Sequence, residues 1–423
     1  MSGVYRPRHP ERTVLYRVLF HYFDRFLTEY EERFEKEYGF FRPIIKEVVE
    51  RYLDCGNPRC GFARIRCPDC GEERLLMFSC RTRGFCPSCH AKRLEEWGEW
   101  MREILLLDVP HRQVVFTIPR MLRLFFKYKR RLLGELCRAA VQALLKYFQA
   151  ATGAELIPGV VAVIQSFGQK INFHPHAHLL VTEGGQDPAG KFHHLAEIED
   201  SLLAEFFKRE VFSLLLRQEL ISEALVEKIE GWRHSGFSVH SKVKAKTRKE
   251  AERVGKYMIR PLLSLERLSL EEKEGKVCYR YGEGAEEVEW MDYLEFIARV
   301  TSHIPDKGQV TVRYLGLYAN AHRGKVRKLE GGEQKLILIE EECPRIPRRG
   351  WAEMIKKVYE VNPLTCPECQ AEMRIIAFLT DYAVVDRIIH HLKLTFVAER
   401  PPPPHQVYQE VLTAAESSAE YLS

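Results

Sequence analysis

The sequence predicts an α+β protein: a largely antiparallel sheet with flanking helices, preceded by a helical, cysteine-rich N-terminal domain. Three observations carry that expectation. Between about residues 110 and 270, β-rich runs mix with helical ones in the manner of an α+β domain. Seven of the twelve cysteines fall between residues 55 and 90. In His174-Pro175-His176-Ala177-His178, followed by Leu179-Leu180-Val181, imidazoles recur at every second position. On a strand this spacing puts all three rings on one face and Ala177, Leu179 and Val181 on the other, toward a core.

The 423 residues are too many for one ordinary core, and the divisions expected are 1–108, 109–270, 271–398 and 399–423. Hydrophobic residues make up 45% and charged residues 29%, a globular composition, and no apolar run reaches the length of a membrane span. With no leader at its start, the chain reads as cytoplasmic, nucleoid-associated if it handles DNA. In a reducing compartment its cysteines read better as metal ligands than as disulfides.

Taken in order, residues 11–54 read as helical, because Val14, Leu15, Val18, Leu19, Tyr22, Phe23 and Phe26 recur at helix spacing. Residues 91–108 are again helical. Gln113–Ile118 is β-rich and stops at Pro119, and a helical stretch follows over roughly 120–151. Val160–Gln165 reads as a second strand, and 166–173, with Gly168, as the connection to the histidine strand. Residues 196–230 are helical, Gly236–His240 is a short strand, and Thr247–Arg260 is a helix ended by Pro261. From 271 the pattern is less regular. Val310–Tyr314 suits a strand, 330–348 a charged loop, 366–369 opens a small unit, and 401–404 marks a Pro-rich flexible tail.

The cysteines supply the first chemistry. Cys67-Pro-Asp-Cys70 and Cys86-Pro-Ser-Cys89 are two CxxC pairs, each a tight turn aiming two thiolates at one point, and together they predict a closed four-thiolate zinc site. Cys55, Cys60, Cys80 and His90 lie near enough to form a second site or to be buried free groups. Cys366-Pro-Glu-Cys369 is a lone pair whose role the spacing leaves open.

The histidines supply the second. His176 and His178 suit a catalytic divalent ion, with Gln165 as first choice for a third ligand because it ends the preceding strand; His174 and His240 are alternatives. Tyr257 shares a helix face with Ala251 and Val254, which alone suits a tyrosine packed on the sheet. The same segment is basic, with eight Lys and Arg against two acids from Lys242 to Arg260. Arg248, Lys249, Arg253, Lys256 and Arg260 therefore suit a phosphate backbone, although such runs also occur as solvated faces. A tyrosine beside a metal-bound phosphate can attack it and form a phosphotyrosine ester.

These segments resemble a known family, the rolling-circle transposases of the insertion-sequence-91 group within the His-hydrophobic-His endonuclease superfamily. The resemblance runs through Gly61–Cys70, Phe85–Cys89, Gln165–Gly168, Asn172–His178, Gly236–His240, Lys256–Pro261, Arg313–Tyr318 and Pro363–Cys369. It implies an N-terminal zinc-binding domain that helps bind element ends. It also implies a catalytic domain that nicks and rejoins single-stranded DNA, at element ends and target, with a tyrosine and Mg²⁺ or Mn²⁺. His176 and His178 then hold the paired-histidine role and Tyr257 the nucleophile role. Arg253 stands where two-tyrosine members carry their second tyrosine, which favours one tyrosine per chain. Two other classes compete: a histidine-triad nucleotide hydrolase or transferase, and a non-catalytic zinc-dependent DNA-binding protein.

Overall fold

Five strands build the central sheet in the order Val312–Gly316, Gly159–Phe167, Phe173–Thr182, His111–Thr117 and Ser238–Ala245, each neighbouring pair antiparallel. The computed structural model describes residues 10–329 and 363–391, apart from Arg83, Ala196 and Glu283. The α+β class expected from the sequence is the one observed. The histidine strand, Phe173–Thr182, is the middle strand. Its apolar half is buried on both sides, as its unbroken run Leu179-Leu180-Val181 requires.

The two faces of this sheet do different work. Ala177, Leu179 and Val181 join Val114, Phe116, Val160 and Ala162 against the helices Leu132–Thr152 and Asp200–Arg217. This is the main core. The opposite face presents Val161, Val163 and Leu180 to Ala251 and Met258 of the helix Arg248–Met258. Thr247 starts that helix by accepting the Glu250 amide on its hydroxyl, 3.2 Å. The Glu250 carboxylate in turn accepts the Lys246 amide, 2.7 Å. The helix ends before Pro261, as the sequence indicates.

The first strand of the histidine hairpin is held by an unusual turn. Ile171 adopts a left-handed φ of 57° and is nonetheless buried. A β-branched residue takes that conformation only where its surroundings compel it. Here the His303 ring sits under the turn, donating from Nε2 to the Ile171 carbonyl at 2.9 Å and accepting on Nδ1 from the Ser166 hydroxyl at 3.0 Å.

The stretch after residue 271 is more regular than its sequence suggests. Leu268–Glu271, Lys276–Tyr281 and Glu287–Asp292 form an antiparallel meander, followed by the helix Tyr293–Ser302. Charged turns such as Glu271–Gly275 interrupt the pattern and hide it. Val277, Tyr279, Phe296 and Val300 pack against Leu19, Phe23 and Phe26 of the N-terminal helix Val14–Arg33. Val312–Gly316 then returns to the edge of the central sheet.

A separate three-stranded sheet has the order Arg374–Leu379, Phe62–Arg66, Glu73–Met77. The expected loop over 330–348 and the tail at 401–404 lie outside the described residues. Among the described residues no helix is long and apolar enough to cross a membrane.

Candidate active site and metal centres

Strand register assembles the histidine site. Gln165 pairs with His176 and Val163 with His178, so Gln165 shares the face of the imidazoles. The rings of His176 and His178 are 4.7 Å apart and those of His174 and His176 5.1 Å. His176 donates from Nδ1 to the His174 carbonyl at 2.7 Å, which leaves Nε2 as the bare nitrogen. The Gln113 amide meets His178 Nδ1 at 3.0 Å, and His178 Nε2 is buried without a partner. An amide orientation that offers Gln113 oxygen to an Nδ1 proton frees that Nε2 as a lone pair.

Gln165 donates from Nε2 to the Met258 carbonyl, at the end of the helix Arg248–Met258. Its Oε1 is buried and has no partner, as is His174 Nε2. Unpaired buried acceptors are costly, and here several converge on one sheet face. Burial holds the rings neutral: His178 is pushed down to about 3, His174 to about 4, and His176 below its ordinary value. Neutral imidazole is the form that ligates a metal. Two imidazole nitrogens and an amide oxygen suit a divalent ion. His240 pairs with Val115, one strand removed from His178, and is exposed.

Tyr257 lies on this side of the sheet but is not a core residue. It is 52% exposed, whereas Ala251 and Met258 on the same helix are fully buried. The packed-tyrosine reading therefore fails, because the helix buries Met258 and turns Tyr257 outward. Arg260 stacks its guanidinium 4.8 Å from the Tyr257 ring centre and donates from Nη1 to the phenol oxygen at 3.2 Å. The charge of Arg260 also helps to depress both His176 and His178. One cation thus faces the tyrosine and the histidine pair together.

The basic residues expected to hold DNA divide into two sets. Lys249 and Arg253 are exposed. Lys256 is committed inside the protein, to Glu95 at 2.6 Å and to the buried Glu252 at 2.8 Å. Arg248 lies 3.8 Å from Asp108. Spacing on a helix distinguishes these roles poorly, because the acids that engage Lys256 and Arg248 include residues from distant segments.

Among the described residues the cysteines form two clusters, not the one predicted. Cys55, Cys80, Cys86 and Cys89 make the first, with Sγ separations of 3.6–3.9 Å. Cys67, Cys70, Cys366 and Cys369 make the second, with separations of 3.4 and 3.5 Å. A single site from Cys67, Cys70, Cys86 and Cys89 is thus corrected: its two pairs belong to different clusters. The reason is the hairpin Phe62–Arg66 to Glu73–Met77. Cys67 and Cys70 sit at its closed tip, while Cys55 and Cys80 flank its open end, where Gly56 bonds Phe78. Five-residue strands set those ends about 17 Å apart. Neither Cys60 nor His90 joins a cluster; His90 donates to the Ile259 carbonyl at 2.5 Å.

Four sulfurs bound tetrahedrally to zinc at about 2.3 Å lie ~3.8 Å apart, close to the separations seen. They are far beyond the ~2.05 Å of a disulfide. In the first cluster the thiols compete for protons: Cys55 is lowered, first by its contact with Cys80, while Cys80 and Cys86 are raised. A divalent cation resolves that competition. The clusters are structural zinc sites in their chemistry, closed by four protein ligands each.

Comparison with known proteins agrees with both halves. Residues 23–118 match the family model described as "Transposase zinc-binding domain", and residues 159–325 match "Putative transposase". The chain is 28% identical over 368 residues to the "Transposase for insertion sequence element IS801" of Pseudomonas savastanoi pv. phaseolicola, covering 82% of this chain and 87% of that one. It is also 28% identical over 327 residues to "Putative transposase y4qJ" of Sinorhizobium fredii (strain NBRC 101917 / NGR234), covering 70% and 79%. No solved structure matches the chain significantly. The second family model spans His176, His178, Gln165 and Tyr257, and the first spans all the cysteines of the first cluster. Along most of its length the chain is thus similar to transposases of the insertion-sequence-91 type.

Proposed function

We propose that this transposase nicks and rejoins single-stranded DNA at the ends of its element through Tyr257, as in rolling-circle transposition. The observation that carries the reading is the position of Arg260, stacked on the exposed Tyr257 and charged toward the buried His176–His178 pair. The guanidinium, bonded to the phenol oxygen, is placed to receive a phosphate beside it.

His176, His178 and Gln165 are the groups that would hold Mg²⁺ or Mn²⁺. The ion's contribution there is to polarise a phosphate and neutralise charge on the leaving oxygen. The Tyr257 oxygen attacks phosphorus in line as its proton departs to solvent. The P–O3′ bond breaks, the 3′ oxygen takes up a proton, and the 5′ phosphate stays on the tyrosine. Attack by a 3′-hydroxyl reverses the exchange and frees Tyr257, so no nucleotide hydrolysis is needed. Arg253 occupies the position one helical turn before Tyr257, so the reading uses one tyrosine per chain. Lys249 and Arg253, exposed on the same helix, are free to hold the strand.

The test is a nicking assay on a labelled single-stranded element end with Mn²⁺ or Mg²⁺. His176→Ala is expected to lower cleavage at least a hundredfold while DNA binding stays within a few-fold. Cleavage that persists in that variant refutes the assignment of the histidine pair.

A further inference from the structure

We infer that the second cysteine cluster is a zinc clasp that makes the segment 363–391 part of the N-terminal zinc-binding domain. The matched zinc-domain model ends at residue 118 and supplies only two of this cluster's four ligands, Cys67 and Cys70. The other two, Cys366 and Cys369, come from the far end of the described chain; Cys67 and Cys369 are 302 residues apart.

The two halves are built alike. Cys67-Pro-Asp-Cys70 and Cys366-Pro-Glu-Cys369 form the same turn. In one, the Gly71 amide bonds the Cys67 carbonyl at 3.1 Å and the Cys67 amide bonds the Glu72 carbonyl at 2.8 Å. In the other, Gln370 bonds Cys366 at 3.0 Å and Cys366 bonds Ala371 at 2.8 Å. The residue after the second cysteine is left-handed in both, Gly71 at φ 79° and Gln370 at φ 64°. Gln370 adopts that conformation without the freedom of glycine. Each turn presents two sulfurs, and the two turns face each other with Cys67 against Cys369 and Cys70 against Cys366. Four thiolates on two matched turns form a closed tetrahedral donor set, the chemistry of structural zinc.

The protein around the cluster is assembled from both chain ends as well. Arg374–Leu379 adds antiparallel to Phe62–Arg66, covering what is otherwise an open strand edge. On one face Ala63, Ile65 and Leu76 pack with Cys366 and Met373. On the other, Phe62 is buried by Val385 and Ile389 of the helix Tyr382–His391. The catalytic sheet is therefore inserted between two halves of one zinc-bound unit. Zinc at this clasp governs whether the C-terminal half stays docked, independently of the chemistry at Tyr257.

The experiment measures zinc in the full-length protein by native mass spectrometry. It adds thiol alkylation before and after chelation, and hydrogen exchange over 62–66. Wild type is expected to carry two zinc ions, with Cys366 and Cys369 alkylated only once zinc is stripped. The double variant Cys366→Ser/Cys369→Ser is expected to keep one zinc and to lose protection over 62–66, while Cys366→His restores the second ion. One zinc in wild type, two in the double variant, alkylation of Cys366 and Cys369 without chelation, or a disulfide-linked peptide joining the two turns would each overturn the clasp. Because the alkylation arm uses wild type alone, poor folding of a variant leaves the inference exposed to refutation. Nicking is not measured, so the outcome is separate from that of the tyrosine assignment.

Discussion

His303 shows how much one side chain can decide. Its ring is fully enclosed, and burial, with the charges of Arg130 and Arg42 adding to it, pushes its pKa down to about 3. The neutral ring accepts from Ser166 and donates to Ile171; a second ring proton would reverse the Ser166 bond and put a charge in this buried place. Those bonds fix the turn that sets Gln165 beside His176. An unfolded histidine binds its proton near pH 6.5, the folded one only near 3. Between those values the unfolded state holds more protons, so stability is full above pH 6.5 and falls as pH drops through the window. The slope from this one group is ~1.4 kcal/mol per pH unit. Denaturant melts from pH 7 to 4 are expected to show the loss, and His303→Gln, less stable at neutral pH, is expected to flatten it. An unchanged slope in that variant would remove His303 from this role. The imidazole face was legible in the sequence, because a period of two fixes it. The partners Gln113 and His303 were not, since nothing local marks a residue that arrives from another strand or helix.

At the scale of elements, the decisive contact is between the helix Pro87–Trp100, which begins in the first cysteine cluster, and the tyrosine helix Arg248–Met258. They cross where both are glycine. A Cβ on Gly255 would lie 2.6 Å from Met101 Cε and 3.1 Å from Trp97, and one on Gly98 would collide with the Lys256 stem. Around the crossing, Lys256 bridges Glu95 and Glu252, Arg102 pairs with Glu252 at 2.8 Å, and His90 bonds the Ile259 carbonyl. The zinc-bound helix therefore buttresses the element that carries Tyr257. Gly255→Leu is expected to cost about 1–3 kcal/mol in melts, as overpacking does, and to slow nicking while zinc content stays at the wild-type value. Wild-type stability in Gly255→Leu would contradict the close crossing. The tyrosine helix itself could be read from Thr247 and Pro261. The crossing could not, because a glycine in a helix pattern signals close approach without naming what approaches.

At the scale of the molecule, the central sheet separates a large apolar core from a smaller one, and the histidines gather at one end of the second face. The main core lies under Leu132–Thr152 and Asp200–Arg217. The other face carries the histidines, Gln165 and the tyrosine helix. The architecture was legible between residues 110 and 270, where strand and helix periods are clean. It was hidden elsewhere because the links are long-range: the meander over 268–292 packs on the first helix, and Cys366 and Cys369 complete a site begun at Cys67. CxxC spacing within one segment cannot reveal a partner pair beyond it. The repeated Cys-Pro-Asp/Glu-Cys turn is the signal that could have revealed this partnership.

The most direct measurement is the site of the covalent DNA adduct. The protein is incubated with a single-stranded element end and Mn²⁺, denatured, digested and sequenced by mass spectrometry. The expected result is a 5′-phosphorylated oligonucleotide on Tyr257, absent in Tyr257→Phe while that variant still binds DNA. An adduct on another residue, or cleavage at the wild-type rate in Tyr257→Phe, would contradict Tyr257 as the nucleophile.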